Sequence, residues 1–414
     1  MKTYFRIYLL LTFLLGACLG LKAQTLEELM QMAVDQNPEL KSLQSEYEAA
    51  LQKGPQVSQL ADVQIGIGVP ILRPETRLGG QVLTVSASQM FPWFGTLKAK
   101  EDIVLTMAKS KYERLAALQL DLFYQIKSAY YQLFLIEQEQ AIIKENLRLY
   151  STMENVALGK VESGKSIASD VLKVGLKIKK LENQLQLLEN NKAPLFAQIN
   201  ETTNRSIQDS IYIVESFDNI AILNFFIDDY QKRIEENHPV INQLNWELQN
   251  SDKALALNKL SGLPSFGVGL DYSLVQPRTD MLPDNNGRDI LIPKVMMTIP
   301  IARKKYKAKE AEESLNKEAF EYKKESVVNQ MMTALQTYKT EYDNALLELE
   351  FYNQQIIMVN STYNILLSEY SSSGSRFDEL IRIQDDLLDY KLKILEAYLQ
   401  THIAVAKIDR LTNF

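Results

Sequence analysis

Cysteine and histidine are nearly missing from this 414-residue chain, which has one of the first, Cys18, and two of the second, His238 and His402. So few soft ligands cannot build a dedicated His/Cys metal site, and no metal or cofactor is expected. Glycine (16) and proline (12) are scarce as well. A long chain with few helix breakers favours long helices. The formal net charge of −7 argues against a nucleic-acid partner, and no Lys/Arg-rich run with interleaved aromatics is read along the chain. No Ser/His/Asp set, phosphate loop or zinc motif is visible, so the chain is not expected to be an enzyme.

The first 23 residues read as a signal peptide. Lys2 and Arg6 give a basic start, Tyr8 to Leu15 an apolar stretch too short to stay as a spanning helix, and Leu21-Lys-Ala23 a cleavage site. Cleavage there removes Cys18, so the mature chain could form no disulfide. Leu15-Gly-Ala-Cys18 also resembles a lipoprotein box, but Thr25 and Glu28 form a capping box that starts a helix almost at once. If that helix ran to the first strand near residue 60, its start would lie roughly 50 Å from the strands. The residues between Cys18 and the helix could stretch only about 25 Å. Cleavage at Ala23 is therefore the expected outcome.

Two stretches of period-two alternation stand out. In the first, Val63, Ile65, Ile67 and Val69 alternate with Gln64, Gly66 and Gly68, and after a loop Leu83, Val85, Ala87 and Phe91 alternate with Thr84, Ser86 and Ser88. In the second, Phe266, Val268, Leu270, Tyr272 and Leu274 alternate with Ser265, Gly267, Gly269, Asp271 and Ser273, followed by Val295, Met297 and Ile299 against Lys294, Met296 and Thr298. The pattern predicts strands at about 63–70, 82–91, 264–274 and 290–300, with an apolar outer face and a small or polar inner one.

Long helical arms surround them. A helix is expected over residues 25–59 with a break at Asn37-Pro38. From Thr96 to about Gly159 there is no proline, and Leu115, Leu122, Ala129, Ile136, Ile143 and Tyr150 recur every seven residues, a coiled-coil seam about 95 Å long. A turn is expected at 159–166, a returning helix from Ile167 to about Asn190, and a small irregular structure over 191–224. Helices over 302–369 and 377–409 complete the pattern, with a second turn near 370–376 and another heptad seam through Leu380, Leu387 and Ile394.

The chain thus repeats itself. Pro38 and Pro239, and Gly66 and Gly267, are each 201 residues apart (239 − 38; 267 − 66), and Gly164 and Gly374 are 210 apart (374 − 164). The expected division is a first copy over 24–224 and a second over 225–414. In an exported protein, ten-residue strands with an apolar outer face suit an outer membrane. A sheet in lipid must close, because an open edge leaves backbone groups unsatisfied. Four strands are too few to close alone, so copies of the chain would have to pool their strands.

This duplicated helix–strand–strand–helix–helix plan resembles the TolC-type outer-membrane efflux channels. The likeness extends to Asn37-Pro-Glu-Leu40, Gln89-Met-Phe-Pro-Trp-Phe-Gly95 and the turns Gly164-Lys-Ser-Ile-Ala-Ser-Asp170 and Gly374-Ser-Arg-Phe-Asp-Glu-Leu380. The resemblance implies a mostly α protomer with a small β part. Three protomers would form a 12-stranded membrane β-barrel on a long α-helical periplasmic barrel. It implies a gated passive conduit of a tripartite efflux or type I secretion system in the outer membrane of a Gram-negative bacterium. Its partners would be a periplasmic adaptor protein, an inner-membrane pump of RND or ABC type, and outer-membrane lipid.

By the same resemblance, Gly164, Ser166, Gly374 and Arg376 fall at the adaptor-docking tips, and Asp170, Arg376, Asp378 and Glu379 at the entrance gate. Where some members carry an acidic ring beyond the second tip, this chain has Leu380 and Ile383, which sets a cation-binding gate in doubt. Phe91, Trp93 and Phe94 fit an aromatic belt at the membrane–water boundary; the plainer alternative is a packed strand-to-helix corner. The competing function is a soluble periplasmic coiled-coil adaptor or scaffold, which explains the seams but not four alternating segments in duplicate.

Overall fold

The computed structural model describes residues 24–217, 219–373 and 375–412. The signal-peptide segment, Cys18 and Gly374 lie outside the described residues. The elements run α1 (Leu26–Gln36), α2 (Pro38–Leu51), α3 (Lys53–Val57), β1 (Gln64–Gly68), β2 (Glu75–Thr76), β3 (Gly79–Phe91), α4 (Thr96–Glu162) and α5 (Ala168–Thr202), then α6 (Ile227–Asn237), α7 (Pro239–Ser261), β4 (Ser265–Pro277), β5 (Ile290–Thr298), α8 (Arg303–Ser373) and α9 (Phe377–Thr412). The chain is mostly helical with one small sheet. No described helix is long and apolar enough to cross a membrane.

The chain divides into two compact units. One holds the stretch up to Lys41, Ala116–His238 and the stretch from Val328; the other holds Ser42–Leu115 and Pro239–Val327. In the first unit the heptad seam of α4 is buried, with Ile126, Ala129, Ile143 and Tyr150 fully enclosed and Leu122 and Leu133 nearly so. One apolar cluster joins Leu29 and Ala33 of α1 to Ile126, Tyr130 and Leu133 of α4 and to Leu399 and Ala406 of α9. A second joins Ile143, Tyr150 and Ala157 of α4, Val174 and Leu181 of α5, Leu366 and Tyr370 of α8, and Leu380 and Leu388 of α9. Burying apolar side chains of this size contributes roughly 1.5–3 kcal/mol each, which is what fixes helices that propensity alone leaves marginal.

The second unit carries the sheet, ordered β1-β3-β4-β5 and antiparallel throughout, with β2 pairing to one end of β3. Register places Ile65 opposite Ala87, which faces Leu270, and Ile67 opposite Val85, which faces Tyr272 and then Leu291. Most apolar residues of β1, β3 and β4, with Leu291, Val295 and Met297 of β5, therefore share one face. The other face holds small and polar residues in rows such as Gly66–Ser86–Asp271, which ends on Ile292 of β5, with Met90 and Met296 beside Gly267.

Several local expectations need correction. The N-terminal helix is broken a second time after Leu51, giving α2 and α3 where one helix was expected. The helix after the first turn does not stop near Asn190 but runs through Pro194 to Thr202. Proline inside a helix costs about 3 kcal/mol, yet here Leu195, Phe196 and Ile199 pack into the first cluster and outweigh that cost. The irregular stretch is accordingly shorter, with residues 203–217 and 219–226 outside any helix or strand. It is held by side chains: Tyr342 donates to the Ala221 carbonyl at 2.8 Å, and the Ala221 amide donates to Thr401 at 3.1 Å. The first turn is narrower than 159–166, because Gly159 is helical and α4 ends at Glu162.

Candidate functional site

Two regions carry the chemistry of interest, the exposed sheet in one unit and the helical turns in the other.

The sheet has an exterior made of hydrocarbon. β1 is exposed along its whole length, and Ile67 (73 %) and Val295 (85 %) are largely open. Val268, Leu270, Leu274, Leu291 and Met297 on the same face are exposed as well. A soluble monomer rarely leaves a continuous apolar surface of this extent uncovered. The opposite face is polar and compact. Thr84 and Ser273 share a hydrogen bond of 2.9 Å, and Lys294 forms an ion pair with Asp271 across β4 and β5. Gly267 packs closely there: a Cβ would displace the Met90 thioether and sit 3.2 Å from the Gln89 carbonyl. Among the described residues β1 pairs only with β3 and β5 only with β4, which leaves both edges of the sheet open.

The three expected belt aromatics sit together at the end of the sheet from which the helices leave. Phe91 lies opposite Phe266 in register, and the Trp93 ring packs on Phe266 at 5.9 Å and on Phe94 at 6.2 Å. The two readings of this motif divide between its members. Trp93 makes the packed corner, while Phe94, 85 % exposed, projects outward.

The first helical turn closes with two bonds, from the Lys165 amide to the Lys160 carbonyl at 2.8 Å and from the Gly164 amide to the Val161 carbonyl at 3.0 Å. This pair defines a Schellman cap, which needs a left-handed residue at the Gly164 position, and Gly164 has φ +71°. Ser166 donates to Asp170 Oδ2 at 2.6 Å, and Asp170 is buried. Its nearest cation is Lys173 at 3.7 Å.

At the second turn Arg376 itself takes the left-handed conformation, φ +62°, where a Cβ is unfavourable. Its guanidinium is held between Glu379 (2.5 Å) and Glu369 (3.0 Å). These bonds raise the arginine pKa and lower that of Glu379. Asp378 is exposed and accepts from Lys173 at 2.5 Å, and that bond raises the lysine pKa. Within one chain, then, Asp170 and Arg376 are not paired with each other: Asp170 is satisfied by Ser166 and Lys173, and Arg376 by Glu369 at the end of α8 and Glu379 at the start of α9. Leu380 is fully buried, and Ile383 packs against the same cluster.

The sequence reading passed over a polar knot deeper in this unit. Asp385 accepts from Tyr150 at 2.7 Å and from Lys177, and Gln384 donates to Asn146 at 2.8 Å. Burial, then the bond to Asp385, pushes the Tyr150 hydroxyl pKa well above its usual range. Tyr150 was read as one more seam residue. The usable signal was its hydroxyl in an otherwise aliphatic repeat, together with Lys173 and Lys177 one turn apart and Asp378 and Asp385 two turns apart. Also missed was Arg303-Lys-Lys-Tyr-Lys307, a short basic run with an aromatic at the start of α8.

No family model matches the chain, and no curated protein matches it. Solved structures do. The open state of the Neisseria gonorrhoeae MtrE outer-membrane channel superposes with a TM-score of 0.74 at 12% identity, covering 94% of this chain and 88% of that one. The Vibrio cholerae outer-membrane protein VceC gives 0.72 at 10% identity, covering 94% and 95%. A membrane protein from Pseudomonas aeruginosa gives 0.74 at 14% identity, covering 94% and 93%. The fold shared with these neighbours is that of the TolC-type outer-membrane efflux channels.

Proposed function

We propose that the chain is the outer-membrane channel of an efflux or secretion system and is not an enzyme. The observation that carries this reading is the sheet: an apolar exterior, a small polar interior and two open edges, in a fold whose neighbours are outer-membrane channels. An open edge in lipid leaves peptide groups without partners. Pairing the β5 edge of one copy with the β1 edge of the next resolves this, and three copies give twelve strands, enough for a water-filled lumen. The polar face, with Thr84, Ser273 and the Asp271–Lys294 pair, lines that lumen.

The helices are assigned to the periplasmic conduit, and the turns at Gly164–Ser166 and Gly374–Arg376 to the docking of an adaptor that links to an RND- or ABC-type pump. Asp170, Arg376, Asp378 and Glu379 are assigned to the entrance. Since Asp170 and Arg376 have separate partners within one chain, a closed entrance built from them requires contacts between copies. The repeat division at about residue 224 belongs to the same reading. Transport is passive, and the pump sets the cargo.

The alternative, a soluble periplasmic coiled-coil adaptor, is disfavoured by the exposed apolar sheet. The test is the mass of the detergent-solubilised mature protein, together with its conductance in a planar bilayer. Three chains per particle and a small, mostly closed conductance are expected. A water-soluble monomer or dimer without conductance would sink the channel reading.

A further inference from the structure

Between Asp289 and Glu310 the chain has no carboxylate, while it has Lys294, Arg303, Lys304, Lys305, Lys307 and Lys309. Lys294 is paired with Asp271 on the sheet, and Lys309 with Glu312 and Glu313. Arg303 donates to the Gly262 carbonyl at 3.0 Å, and Asn258 donates to the Tyr306 carbonyl at 2.8 Å, so the first turn of α8 is pinned against the end of α7. That leaves Lys304, Lys305 and Lys307 exposed, with no ion pair among the described residues. Lys305 lies 4.8 Å from the centre of the Tyr306 ring.

Three unpaired cations in the first two turns of a helix stand where its dipole is least favourable to them. An external anion at that position would offset the arrangement. The matched helix start in the first copy is weaker in this respect, because Lys98 is neutralised by Glu101 and Asp102 and a single lysine, Lys100, is exposed there without an ion pair among the described residues. The far end of the sheet differs too, since Arg278 there pairs with Asp280 and other acidic residues lie close by in sequence.

The residues just ahead of this cluster identify the anion's source. Val295, Met297, Ile299 and Ile301 are exposed apolar side chains leading directly into Arg303, and Phe94 is exposed at the same end of the sheet. A surface that passes within a few residues from hydrocarbon, through aromatics, to cations follows the profile of a lipid leaflet from acyl chains to headgroup. We propose that Lys304, Lys305 and Lys307 form a binding site for the phosphate of anionic phospholipid headgroups in the leaflet next to the helices. This rests on the membrane reading of the sheet and adds a headgroup preference to it.

The test is the association of spin-labelled phosphatidylglycerol and phosphatidylcholine with the reconstituted full-length protein. Wild type is expected to hold phosphatidylglycerol more tightly by roughly fivefold for each engaged cation. The triple variant K304Q/K305Q/K307Q should lose most of that preference. Lys317→Gln, which removes a lysine paired with Asp252 further along α8, should keep it. Immobilised lipid with no headgroup preference, or a preference unchanged in the triple variant, overturns the inference alone. Absence of any immobilised lipid overturns the membrane reading with it. A preference abolished by inorganic phosphate but not by chloride of equal ionic strength would show that the cluster takes free phosphate, and would overturn the lipid assignment.

Discussion

Asn37 and His238 occupy the same step of the two copies, each just before a proline that opens a helix. Asn37 acts as a cap: its Oδ1 accepts from the Glu39 and Leu40 amides at 2.9 and 3.0 Å, and its Nδ2 donates to the Thr202 carbonyl at 2.9 Å. His238 is equally buried but titratable, and it feels both Asp121 and Arg410. The turns differ in the same manner. Asp170 of the first copy is matched, 210 residues on, by Leu380, and Ser166 by Arg376. The duplicated plan is thus maintained by backbone geometry and apolar burial, while each copy sets its own polar chemistry on that frame.

The largest effect that separates the copies should come from the Asp170/Leu380 pair. Leu380 is fully enclosed among Tyr370, Phe377 and Leu388. Leu380→Ala should cost about 3 kcal/mol, since large-to-small changes in a packed core lose both transfer energy and cavity contacts. Asp170→Ala removes mainly the bond from Ser166 and should cost about 1 kcal/mol. Denaturant unfolding followed by circular dichroism ranks the two. Equal losses would mean that the two turns are packed alike.

The next effect is acid sensitivity. Burial, opposed by Asp121 and aided by Arg410, depresses the His238 pKa from 6.5 to about 4. A histidine whose folded pKa lies below its unfolded one contributes stability that is complete above pH 6.5 and is lost as pH falls toward 4. The loss should reach on the order of 3 kcal/mol by the lower limit. His238→Asn, which installs the residue found at the matched position of the first copy, should flatten the stability profile across that window. An unchanged profile would place the acid-sensitive group elsewhere, with His402, also lowered by burial, the first to examine.

These contrasts show which parts of the fold were legible in the sequence. The strands were, because alternation between hydrocarbon and small residues repeats on every side of the sheet. So was the α4 seam, because a strict seven-residue spacing admits one buried face. Pro194 misled, since its local cost is certain while the burial of Leu195, Phe196 and Ile199 that outweighs it depends on a cluster drawn largely from distant helices, with Ile126, Tyr130 and Leu399 among its members. The partners of Asp170 and Arg376 were hidden for a related reason. Motif matching placed both at the turns, but whether a charge is satisfied by Ser166, by Lys173 or by carboxylates of the two flanking helices is decided by side-chain geometry that spacing does not encode. In the Tyr150–Asp385–Lys177 knot, Asp385 lies more than two hundred positions from both partners; the hydroxyl in the seam and the lysine and aspartate spacings mark the candidates, but the pairing itself is set by the fold.

The smallest effect concerns the left-handed residue at each turn. Gly164 adopts φ +71° at no steric cost, and nothing surrounds the space a Cβ would fill. Gly164→Ala should therefore cost about 1 kcal/mol from backbone conformation alone. Arg376 accepts that cost at φ +62° and recovers part of it through Glu369 and Glu379, although exposed ion pairs contribute only about 0–1 kcal/mol. Arg376→Gly would relieve the backbone and delete the ion pairs, two changes of opposite sign and similar size. Its net effect should be small, and added salt, which weakens the wild-type pairs, should shift the balance toward the glycine variant. Unfolding at low and high salt measures both terms. If Arg376→Gly destabilises strongly at every salt concentration, the arginine has partners beyond Glu369 and Glu379, and the place to seek them is a neighbouring copy.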